Sequence, residues 1–99
     1  MNDIEIAVLA KAANEIEDAM LQARIPCRME TTPNDNQVSL TFPLEKISAD
    51  ITVDRGADGN PDVWIEIISD SGDFLAGDLT AQEAIRYLVR RNNDSRETA

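Results

Sequence analysis

Residues 49–69 read ADITVDRGADGNPDVWIEIIS, two alternating runs joined by a turn rich in Gly and Asp. Side chains in a strand alternate between its two faces, so parity assigns each residue to a side. In the first run Ala49, Ile51 and Val53 share one face, and Asp50, Thr52 and Asp54 the other. In the second, Val63, Ile65 and Ile67 oppose Trp64, Glu66 and Ile68. The two wholly apolar sets need cover and belong to the core. The opposite face then carries Asp50, Asp54 and Glu66 around Trp64 and Ile68. Residues 55–62 form the exposed loop, with Asp58-Gly59 suited to a turn needing positive φ and Pro61 unable to donate to a ladder.

Working outward, residues 27–31 and 37–42 alternate in the same way and predict a second hairpin. Cys27 and Met29 point inward in one arm, Val38, Leu40 and Phe42 in the other, with a turn over residues 32–36 and a stop at Pro43. Ahead of it, Ile6, Leu9, Ala13, Ile16, Met20 and Ala23 recur at helical spacing and predict a helix over residues 3–25, ended by Pro26. Asn2 and Glu5 have capping-box spacing at its start. After residue 69, the DSGD turn leads into residues 74–77, read as a brief extra strand or as an extended lead into the last helix. Thr80-Ala81-Gln82-Glu83 is a second capping box, followed by an apolar stripe of Ala81, Ala84, Ile85, Leu88 and Val89.

The expectation is an α+β fold: helix, four-stranded antiparallel meander, helix, with both helices on one face of the sheet. Residues 1–91 form the single domain and residues 92–99 a flexible tail. Ninety-nine residues suffice to bury roughly two thirds of the unfolded chain's surface. A hydrophobic content of 42% argues against wholesale disorder. A second, catalytic domain has no room.

Charge is the feature that most narrows function. Nineteen acids against nine bases leave a net charge of −10, and the excess is uneven: residues 1–79 hold sixteen acids and five bases, residues 80–99 three and four. Such a surface repels nucleic acid and anionic membrane and favours basic protein partners. The single cysteine, Cys27, permits no internal disulfide and suits a reducing compartment. Without an N-terminal signal pattern or a membrane-length apolar run, the expected location is the cytoplasm.

Catalytic equipment is sparse. The chain contains no His, the usual titratable base near neutrality, and Ser48, Ser69 and Ser71 have no evident activating partner. No phosphate-binding or dinucleotide glycine pattern occurs. Asp54, Asp58 and Asp62 occupy positions one, five and nine of a calcium-loop spacing, with Gly59 at six. Gly56 at three and Ile65 at twelve remove two required ligands. No metal or cofactor is therefore expected, nor an enzymatic role.

The candidate partner-binding residues are Asp50, Asp54, Asp58, Asp62, Trp64, Glu66 and Ile68, an indole among carboxylates that would steer and anchor a basic surface. Glu15, Glu17, Asp18, Asp70, Asp73 and Asp78 extend the negative potential. A structural role, as a homodimer through the first helix or an open sheet edge, is the alternative. In size, acidity and element order the whole chain resembles small phage-encoded inhibitors of bacterial defence, the anti-CRISPR and DNA-mimic anti-restriction proteins. That resemblance is architectural and carries no motif, so it transfers no residue role. It implies an inhibitor that occupies a Lys- and Arg-lined nucleic-acid-binding groove of a target in the bacterial cytoplasm. An immunity protein against a basic toxin nuclease fits the same charge. The element order is also similar to the double-stranded RNA-binding domain, but Arg86, Arg90 and Arg91 of the last helix lack a matching basic loop.

Overall fold

The computed structural model describes residues 3–31 and 37–97. Its elements run α1 (Asp3–Gln22), β1 (Arg28–Thr31), β2 (Gln37–Phe42), β3 (Ile47–Arg55), β4 (Pro61–Ser69), β5 (Phe74–Leu79) and α2 (Ala81–Glu97). The strands form one sheet in the order β1-β2-β3-β4-β5, every neighbouring pair antiparallel. The fold is thus α+β with five strands, where four were expected. Asn2 of the first capping box and the turn over residues 32–36 lie outside the described residues.

Burial follows parity on the central strands. Val38, Leu40 and Phe42 of β2, Ala49, Ile51 and Val53 of β3, and Ile65 and Ile67 of β4 are buried. Ile51 stands directly opposite Ile65, and Ala49 opposite Ile67. Each buried Ile contributes on the order of 1.5–3 kcal/mol of transfer free energy. α1 lies against β2, β3 and β4, α2 against β4 and β5, and the two helices touch each other. Leu9, Ala12, Ala13, Ile16 and Met20 of α1 and Ala84 and Leu88 of α2 complete the core. The buried face of α1 differs from the expected stripe in two places: Ile6 is 47% exposed near the start of the helix, and Ala12, which lies outside the stripe, is buried. Ile85 and Val89 are half-buried on the flank of α2.

α1 stops at Gln22, before the limit set by Pro26, because the chain closes on itself there. Arg24 adopts a left-handed φ of 59°, its amide bonding the Leu21 carbonyl at 3.2 Å while the Ile25 amide bonds the Met20 carbonyl at 2.8 Å. This is a Schellman closure with Arg in the position usually taken by Gly, and it tucks Ile25 into the core. At the other end of the chain, α2 continues beyond Arg91 to Glu97, where a flexible tail was expected. Asn92, only 8% exposed, lies within that extension.

Two of the hairpins share one turn. In the β3–β4 loop the Gly56 amide bonds the Asn60 carbonyl at 2.8 Å and the Gly59 amide the Gly56 carbonyl at 2.9 Å. In the β4–β5 loop Ser69 and Asp73 pair at 2.9 Å, and the Gly72 amide meets the Ser69 carbonyl at 2.9 Å. Gly59 and Gly72 have φ of 82° and 92°, the left-handed residue that closes a three-residue hairpin loop. The β3–β4 loop is accordingly shorter than the sequence suggested, with Arg55 and Pro61 already paired as strand residues.

β5 was the ambiguous segment for physical reasons. Ile65 pairs with Leu79 and Ile68 with Phe74, so six residues of β5 run beside four of β4 across two register shifts. Asp78 takes a positive φ of 53° within this irregular stretch, and the Phe74 ring lies over Gly77, where a methyl group would overlap it. Bulges of this kind twist an edge strand away from regular pairing.

Candidate interaction face

The side of the sheet away from the helices is laid out by register. Asp50 is opposite Glu66, Thr52 opposite Trp64, and Asp54 opposite Asp62. These six residues form a block of two strands by three rows, with carboxylates at all four corners and the Thr52–Trp64 pair between them. Directly opposed Cβ atoms lie roughly 4.5–5.5 Å apart, and successive rows on a strand about 7 Å apart. Trp64 is 44% exposed, and Thr52 beside it is short and exposed.

Neighbouring strands continue the rows. Ser39 and Glu30 extend the Asp50–Glu66 row, and Gln37 extends the Thr52–Trp64 row. The Ser39 hydroxyl donates to Asp50 Oδ1 at 2.8 Å, fixing that half-buried carboxylate. Asp54 Oδ1 accepts the Arg55 amide at 2.7 Å. The strands carry two bases: Arg28 lies at the β1 edge of this same face and meets its neighbour Glu30 at 3.2 Å, and Arg55 turns to the other side and reaches Glu5 of α1 at 3.5 Å.

Of the seven residues singled out from sequence, the fold brings Asp50, Asp54, Asp62, Trp64 and Glu66 together. Ile68 sits one row further along, paired with Ser48 and Phe74 and partly covered. Asp58 stands at the loop tip, its carboxylate taken by the Asn60 amide and side chain, each at 3.1 Å. The backbone bond and then the side-chain bond hold Asp58 below the usual carboxylate range. Sequence reasoning did not single out Ser39, Glu30 or Phe74. Parity places Ser39 and Glu30 on this face, but only the pairing register shows which acids they flank. Phe74, 65% exposed, belonged to a segment without alternation.

Among the described residues, no group of three or more His, Cys, Asp or Glu side chains is placed to hold a metal ion. Ser69, Ser71 and Asp73 bond one another within their turn. Burial, and next the charge of Glu17, raise the Cys27 thiol above its ordinary pKa, which suppresses the thiolate. No helix among the described residues is long and apolar enough to cross a membrane. No family model matches the chain, and neither curated proteins nor solved structures show a significant match to it.

Proposed function

We propose that this protein is a non-enzymatic binding protein whose acidic sheet face docks onto a basic surface of a nucleic-acid-binding protein and blocks it, as an inhibitor of the anti-defence kind would. The observation that carries this is the block of four carboxylates around a half-exposed indole. Asp54 and Asp62 are like charges set directly across the ladder, an arrangement that costs stability in the free protein and is relieved when a cation arrives. An apolar anchor rimmed by charge is also the layout of an interface that steers its partner and then holds it.

Affinity capture from a bacterial lysate tests the proposal, comparing the native chain with a D50K/E66K variant at low and high salt. The native chain should retain basic nucleic-acid-binding proteins at low salt and release them as salt rises, and the variant should retain few. Capture that ignores both salt and the substitutions would overturn it.

A second reading, self-assembly through α1, is favoured by Ile4 and Leu21, which are 65% and 76% exposed on that helix. Sedimentation at several concentrations separates the two: a tight dimer lost in a Leu21→Glu variant supports assembly, and a monomer throughout supports docking.

A further inference from the structure

Resting on the docking role proposed above, we infer that the Trp64 block is a receptor for an arginine side chain, so that the partner presents Arg rather than Lys at the centre of the contact. The register puts Trp64 in the middle row with Asp62 and Glu66 on either side of it along β4, and Asp50 and Asp54 on its two diagonals across β3. Diagonal neighbours in such a pair lie about 7–8 Å apart, within reach of one extended side chain. Thr52, the residue directly across from the indole, is short and exposed, so it adds little bulk beside a ring that is itself 44% exposed.

A cation entering this notch meets an aromatic surface flanked by carboxylates. The guanidinium suits both: it is planar and stacks on an indole, and its fork of N–H groups bonds a carboxylate in two places at once. An ammonium is a compact, strongly hydrated point charge that gains from the corners but little from the ring. No base stands within the block: Arg28 is out on the edge strand β1, in the Ile68 row, and Arg55 is drawn over to Glu5 of α1. Asp50 is set in place beforehand by Ser39, which lowers the ordering cost of binding.

Trp64 is the sole tryptophan, so its emission reports on this site alone. The full chain would be titrated with poly-arginine and poly-lysine peptides of equal length at fixed ionic strength, by fluorescence and by calorimetry. The arginine peptide should perturb Trp64 emission and bind about five- to tenfold more tightly than the lysine peptide. In a Trp64→Ala variant, followed by calorimetry, the preference should fall toward one while both peptides still bind through the carboxylates. Trp64→Phe, which keeps an aromatic face, should retain part of the preference. Equal affinities of the native chain for the two peptides would overturn the arginine receptor and leave the docking role standing. Failure of both peptides to bind would overturn the receptor and the docking role together.

Discussion

The Ser39 hydroxyl donates to Asp50 Oδ1 at 2.8 Å across the β2–β3 ladder, so one corner of the acidic block is fastened to a neighbouring strand. Replacing Ser39 with Ala leaves a half-buried carboxylate without this donor. Stability should fall by about 1 kcal/mol, seen as a lower denaturant midpoint with an unchanged slope in equilibrium unfolding. Binding to a basic partner should weaken modestly, because the net charge is untouched and only the placement of Asp50 is lost.

Asp54 and Asp62 face each other on adjacent strands, and opposed like charges destabilise a sheet. Asp54→Asn or Asp62→Asn should therefore raise the melting temperature, on the order of a few degrees at low salt, while weakening partner binding. Thermal unfolding followed by circular dichroism checks the first half. The gain should shrink at high salt, where the repulsion is already screened.

Arg24 and Lys46 hold left-handed φ of 59° and 56°, one closing α1 and the other closing the β2–β3 turn through the bond from the Lys46 amide to the Phe42 carbonyl at 2.9 Å. A left-handed L-residue costs about 1–2 kcal/mol, part of which Gly returns as unfolded-chain entropy. Arg24→Gly and Lys46→Gly should each stabilise the fold, by about 0.5–1 kcal/mol in chemical denaturation. The sites are in separate turns, so the two effects should add.

The capping box at α2 is reciprocal: the Glu83 amide donates to Thr80 Oγ1 at 3.2 Å and the Thr80 amide to Glu83 Oε1 at 3.1 Å. The backbone bond from Thr80, followed by its side-chain bond, holds Glu83 below the ordinary glutamate range. A carboxylate depressed in the folded state stabilises it above the unfolded pKa and loses that contribution as pH falls through the folded value. Thr80→Ala should cost about 1 kcal/mol and move the Glu83 carboxyl titration, followed by NMR, back up toward its ordinary range. Glu83→Gln should flatten the acid limb of stability against pH.

The glycines of the β3–β4 turn should respond to Ala for different reasons. At Gly59, with φ of 82° and nothing near a would-be Cβ, the cost is backbone strain alone, about 1–2 kcal/mol, and Asn should be better tolerated than Ala. At Gly56 a Cβ would lie 2.7 Å from Asp62 Oδ2 and 3.1 Å from Asp58 Oδ1. Gly56→Ala should push the Asp62 side chain aside and lower affinity for a basic partner more than it lowers stability. Comparing the two variants by unfolding and by peptide titration checks the contrast.

Strand faces, both glycine-closed hairpin turns and the α2 capping box were legible in the chain because each depends on residues close in sequence. Parity alone puts Ile51 and Ile65 inside and Asp50, Trp64 and Glu66 outside. β5 was harder to read, because Gly77, Asp78 and two register shifts erase the alternation that marks a strand. Ile6 fits the helical stripe by spacing but lies near the first turn of α1 and stays 47% exposed.

What the sequence determined by itself is which side chains share a face and how strongly negative the outward one is, since period-two alternation and charge are local properties. What only the tertiary structure decided is that Asp50, Asp54, Asp62 and Glu66 become the four corners around Thr52 and Trp64. That grouping depends on the β3–β4 register, and a slip of one residue along either strand would redistribute every corner. The same holds for Arg55, whose ion pair with Glu5 comes from a strand and a helix meeting in space, a relation that no local pattern encodes.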